Sequence, residues 1–293
     1  MSKVVNDDYP GQTPISDADL KQMVMSNHVN TGTPDQFTSG ESNNVPTEVI
    51  PLPSKGRFYP EGHPLKSGVI EMKYMTAKEE DILASQNLIK QGVVIDKLLQ
   101  SLIVTRINYN DLLTVDKNAV FIAARILAYG PEYVVEITCP NCGEKSKRNI
   151  DLQQFSEKVI NWDNFQEGEI THTYVLPISK HKLTLKMLTH GDEKKIEEAT
   201  KMYKKASKSS GVDRELSTRL KHVIVGVDDN EDKSFINQFV DNMFSRDSLA
   251  LRTHLKSITP DIETVFDYEC PSCGHEMAKM QLPIEVGFFW PGV

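Results

Sequence analysis

From Gly68 the chain alternates apolar and polar positions through GVIEMKYMT, which predicts a half-buried strand ending near Thr76. AKEEDILASQ follows, with an acidic first turn that suits a helix N-terminus. IDKLLQSLIVTRI and NDLLTVDKNAVFIAARILAYG then carry apolar residues at helical spacing. Alternation returns in EYVVEIT, runs into Cys139-Pro140-Asn141-Cys142-Gly143, and resumes in KSKRNIDLQQF. Downstream the same order recurs. HKLTLKMLT reads as a strand, HGDEKKIEEATKMYKKA as a helix with an acidic start, and STRLKHVIVGV and VDNMFSRDSLALRTHLKSI as further helices. ETVFDYE then leads into Cys270-Pro271-Ser272-Cys273-Gly274, and EMAKMQLPIEV leaves it.

Six elements repeated in one order predict an internal duplication, over roughly residues 64–155 and 175–290, with KVINWDNFQEGEITHTYVLPIS between them. The expected fold class is therefore α+β: a tandem duplicated unit of strand, helices and CPxCG β-hairpin. The boundaries are read as a tail over 1–48, a first unit over 49–160 and a second over 161–293. NTGTPDQFTSGESNNVPTE is too poor in apolar residues to offset its ordering entropy, so the tail is expected to be disordered. Within it SDADLKQMVMSN offers one weak helix N-capped by Ser16. VIPLPSKGRFYPEGHPL is punctuated by prolines and glycines; its apolar anchors Ile50, Leu52, Phe58 and Tyr59 call for burial, either as a strap on the first unit or against a partner. Phe288, Phe289 and Trp290 near the chain end pose the same choice.

The composition is ordinary for a globular protein, so its value lies in what it excludes. A net charge of -8 and a pI near 5.5 argue against a broad phosphate-binding face. There is no long apolar run to cross a membrane and no signal-peptide h-region, which places the four cysteines in a reducing compartment. Paired C-x-x-C motifs there read as metal ligands before disulfides.

The duplication turns two half-sites into one expected site. Cys139 and Cys142 from one hairpin, with Cys270 and Cys273 from the other, form a ligand set for a single structural Zn²⁺. Two residues between thiolates let both sulfurs converge from one turn at ~2.3 Å from the metal. Gly143 and Gly274 permit positive φ at the reversal, and Pro140 and Pro271 preset part of it. Thiol–disulfide redox chemistry is the competing reading, without a thioredoxin-like context around either motif. His275 is adjacent but superfluous once four thiolates fill the shell. No catalytic constellation emerges elsewhere: there is no phosphate loop, GxSxG or HExxH, and DDNED lacks EF-hand spacing.

PLPSKGRFYP, MTAKEEDIL, LLTVDKNAVFIAARILAYGPEYVVEITCPNCG and NIDL together resemble the baseplate hub assembly family of T-even-type myophages, close to the group known as phage baseplate proteins. The series includes Asp116, Arg125, Tyr129, Gly130 and Tyr133. The likeness is good over residues 50–155 and looser in the second unit. It implies a non-enzymatic component or assembly factor of a contractile tail's central hub, with other hub or tail proteins as partners. It implies the host cytoplasm during assembly, and the virion baseplate if the protein is retained. The rival expectation, a nucleic-acid-binding zinc-ribbon protein, rests on the knuckles alone.

Overall fold

The computed structural model describes residues 45–206, 214–282 and 286–289; the tail before residue 45, with the helix expected after Ser16, and Trp290 lie outside them. Strand β1 (Thr47–Pro51) pairs antiparallel with β2 (Val69–Lys73), Ile50 facing Ile70. It begins two residues inside the stretch assigned to the tail. The loop joining the two strands turns Leu52, Phe58 and Tyr59 into the core, and Phe58 packs edge-on against Phe165. These aromatics strap the fold and are not exposed to a partner. Helices α1 (Ala77–Ala84), α2 (Gln86–Gln91), α3 (Val94–Leu102) and α4 (Thr114–Tyr129) follow, then the hairpin of β3 (Glu132–Thr138) and β4 (Lys145–Asp151), and the short β5 (Ser156–Glu157).

The second pass starts with β6 (Thr171–Val175) and β7 (Lys182–Lys186). It continues with α5 (His190–Ala206), α6 (Glu215–Val223), β8 (Ile224–Val227), α7 (Lys233–Asp241) and α8 (Ser245–Ile258). It ends with β9 (Ile262–Glu263), the hairpin of β10 (Val265–Glu269) and β11 (Glu276–Gln281), and a single 3₁₀ turn, Val286–Phe289.

Three expectations change. The helix expected through IDKLLQSLIVTRI stops at Leu102, where Ile103 bridges to Met72. The helix expected through STRLKHVIVGV stops at Val223, because the β-branched run after it pairs with β7 as β8, Leu185 opposite Ile224. Gly226 lies so near Thr184 that a Cβ there would meet its side chain at 3.3 Å. The helix expected from Val240 is two. Asp232 N-caps α7 by accepting from the Phe235 N–H at 2.8 Å, and the chain breaks at Asn242–Phe244 before α8.

The repeat extends to individual contacts. In the first pass Thr76 donates its N–H and hydroxyl to Glu79 at 3.0 and 2.6 Å, while Lys73 reaches the same carboxylate at 2.7 Å. In the second, Thr189 donates the same two groups to Asp192 at 3.2 Å each, and Lys186 reaches it at 2.9 Å. Lys-x-x-Thr-x-x-acid thus ties a strand end to a helix start twice. Burial alone would raise the Glu79 carboxyl, but Lys73, Thr76 and Ser101 together hold it down to about 2. A depressed folded pKa stabilises above the unfolded value, near ~4.5, and the gain is lost as pH falls toward 2. Glu79→Gln is expected to cost about 1–3 kcal/mol at pH 7, the price of leaving buried donors poorly paired. It is also expected to flatten the loss of stability between pH 4.5 and 2, which urea titrations at several pH values would measure.

Most of the core is one cluster that draws Tyr268, Leu282, Phe288 and Phe289 from the second pass onto the first, while a smaller cluster around Leu183, Leu185 and Leu251 serves the second alone. The passes also join through backbone. Thr114 N–H donates to Leu188 C=O at 2.9 Å and His190 N–H to Leu112 C=O at 2.8 Å, beside an ion pair of Asp96 with Lys117 at 2.9 Å. Each segment after a hairpin crosses to the other pass. Lys158 N–H donates to Asp261 C=O beyond α8, and Arg125 on α4 holds Phe288 C=O at 3.0 Å.

Candidate metal centre

Each CPxCG tip folds alike. Cys139 N–H donates to Glu144 C=O at 2.9 Å and Gly143 N–H to Cys139 C=O at 2.9 Å; Cys270 and Gly274 repeat both bonds at 3.0 and 2.9 Å, with His275 C=O as the first acceptor. Gly143 and Gly274 sit at φ +74° and +69°, where a Cβ would be strained. Each knuckle thereby buries its first cysteine and leaves the second exposed at the tip.

The hairpins bring all four sulfurs within 4.8 Å of one another, a group that can hold a metal ion. Cys139 Sγ lies 3.7 Å from Cys273 Sγ, and Cys142 Sγ 3.7 Å from Cys270 Sγ. That is far beyond the ~2.05 Å of a disulfide and close to the ~3.8 Å edge of a tetrahedron with ~2.3 Å metal–sulfur bonds. Four thiols this close cannot all ionise unless a cation compensates them. Asn141 Nδ2, reaching across from the other knuckle at 3.5 Å, and the backbone at His275 favour the thiolate of Cys273 and bring it down to about 6. Ser146 and Tyr268 hydrogen-bond between the hairpins just below the sulfurs. His275 is not part of the group.

A second repeated device positions the helices that carry the hairpins. Asp116, the third residue of α4 and fully buried, accepts from Ser54 N–H and hydroxyl at 2.9 and 2.8 Å and from Tyr59 hydroxyl at 2.9 Å. Asp247, third in α8 and equally buried, accepts from Ile178 and Ser179 N–H at 2.8 and 3.0 Å. Each aspartate clasps a Leu-Pro loop running from the first strand of its pass, and Lys55 and Lys180 take φ +52° and +63° there. From Asp116 and Asp247 to Cys142 and Cys273 the two passes keep one register, 131 positions apart. Asp247 escapes a reading focused on ligand types; that constant register is the signal that marks it.

A model of the T4 bacteriophage base plate protein family matches residues 52–290. The chain belongs to that family. Among curated proteins and solved structures nothing matches. The base plate match takes in both clasps, both knuckles and the arginine motif of the first pass, whose spacing has a physical cause. Arg125 donates to Gly130 C=O at 3.1 Å and Phe288 C=O at 3.0 Å, and its guanidinium lies 5.1 Å from the ring of Tyr129 and 5.7 Å from that of Tyr133. Gly130, at φ +82°, turns the chain so that both rings flank one cation. A base plate role places the chain with other phage structural proteins at the virion tail. Among the described residues, no helix is long and apolar enough to cross a membrane.

Proposed function

We propose that this base plate family member builds or chaperones the central hub of a contractile tail by binding other hub or tail proteins, without catalysis. It does so in the host cytoplasm during assembly. A Zn²⁺ ion held by Cys139, Cys142, Cys270 and Cys273 as a zinc-ribbon-like centre clamps its two hairpins. The observation that carries this reading is the pairing of base plate membership with a closed four-sulfur group. Four thiolates complete a tetrahedral shell and leave no position for substrate or activated water, as structural zinc sites do and catalytic ones do not. The ion would act through folding free energy, fixing two hairpins that lie far apart in sequence.

Elemental analysis of the purified, reduced chain is expected to give one zinc per monomer; a metal-free, fully folded monomer overturns the clamp. Deleting the gene from its phage is expected to leave heads and fibres but no baseplates, seen by electron microscopy of lysates. Normal particles from that deletion overturn the hub role.

A further inference from the structure

Among the described residues, α8 leaves one face bare. α4 buries nine of its 16 residues, from Val115 to Arg125, whereas α8 buries Asp247, Leu251 and Ile258 among its 14. The bare stripe of α8 is Arg246, Leu249, Ala250 and Thr253, at the i, i+3, i+4, i+7 spacing of one face. With Pro177 and Ile178 of the clasped loop it lines a depression of about 560 Å³. Leu249 is 58% exposed and Ile178 41%. Across the Asp247 clasp a second depression, of about 400 Å³, is lined by the exposed rings of Phe235 and Phe244. Four large apolar side chains therefore gather in two adjoining hollows instead of being scattered singly.

What would cover this face can be read from its chemistry. α8 offers an apolar floor and an arginine at its rim, and Arg246 has no carboxylate within ion-pair distance among the described residues. We propose that the α8 face docks another protein of the tail, through a short segment that presents a large aliphatic or aromatic side chain beside a carboxylate. Apolar anchors in such hollows dominate interface energetics, and the rim charge sets register. This inference rests on the baseplate reading.

The test uses the full chain during phage infection. The photo-reactive residue p-benzoylphenylalanine replaces Leu249, or the exposed Glu61 in the loop between β1 and β2, and adducts are mapped by mass spectrometry. A crosslink from position 249, absent from 61, to one other tail protein at an apolar residue next to Asp or Glu supports the proposal. Leu249→Glu, checked for an unchanged melting temperature, is expected to cut baseplate yield at least tenfold. Adducts only with a second copy of this chain, no adduct at all, or full yield from Leu249→Glu overturn it. If the gene deletion abolishes baseplates while Leu249→Glu does not, the docking surface fails and the hub role stands. If the deletion also leaves baseplates intact, both fail.

Discussion

With the proposed zinc clamp, Cys139→Ser is expected to abolish metal binding and the cooperative unfolding of the chain together. Cys139 is buried, its backbone closes the first knuckle, and its sulfur lies beside that of Cys273 in the other hairpin. A structural zinc ion contributes apparent binding free energy of about 10–16 kcal/mol, comparable with or larger than the ~5–15 kcal/mol net stability of a domain. Loss of one ligand weakens that clamp and leaves three thiols crowded without a compensating cation. The measurements are zinc content per chain and the near-ultraviolet circular dichroism of the variant against wild type. Cys270→Ser, its counterpart in the other knuckle, is expected to behave alike, while His275→Ala is expected to keep its zinc and its transition. Retention of one zinc by Cys139→Ser would show that the four sulfurs do not act as one shell.

The next largest effect is expected from Asp116→Ala, at about 4 kcal/mol. The carboxylate is the acceptor for Ser54 N–H, Ser54 hydroxyl and Tyr59 hydroxyl, all buried, and each orphaned buried donor costs about 1–3 kcal/mol. Asp116→Asn keeps the shape and one acceptor oxygen, so it is expected to cost about half as much. The two variants also differ from wild type in pH dependence. Burial pushes the Asp116 carboxyl up to about 6, against the pull of its three donors. A folded pKa above the unfolded ~3.9 means that the folded state binds more protons between the two values. This group's contribution is therefore greatest near pH 4 and declines as pH rises through 6. The stability difference between wild type and Asp116→Asn should shrink over that window, in the direction opposite to Glu79→Gln. Denaturant titrations of all three chains from pH 4 to 8 would measure it; a difference that grows with pH would show that Asp116 is not held as described.

Much of this arrangement was legible from pattern. The alternation in GVIEMKYMT and EYVVEIT became β2 and β3, and the helical spacing of NDLLTVDKNAVFIAARILAYG became α4. The two knuckles can be paired from sequence because they share residue types and register, and the fold brings their sulfurs together. The failures were failures of tertiary context. VIVGV is β-branched and suits a strand, but it follows helical spacing without a break; its pairing with Leu183–Leu185 decides it. By sequence alone the core is only the better of two places for Phe58, Tyr59, Phe288 and Phe289, because local sequence cannot say whether a distant helix offers a bare ring such as Phe121. The bare stripe on α8 is hidden for the converse reason: Leu249 continues an apolar period that nothing among the described residues covers.

The crossing of each post-hairpin segment onto the opposite pass has a consequence for synthesis. Cys142 waits 128 residues for Cys270, and Arg125 waits 163 for the Phe288 carbonyl. At roughly 5–20 residues per second on a ribosome, the first half stays unfinished for on the order of ten seconds, with unclamped thiols and an uncovered α4. A nascent chain halted anywhere before Phe289 would therefore be a target for chaperones and proteases, so a prematurely terminated product would be cleared before it could enter an assembly.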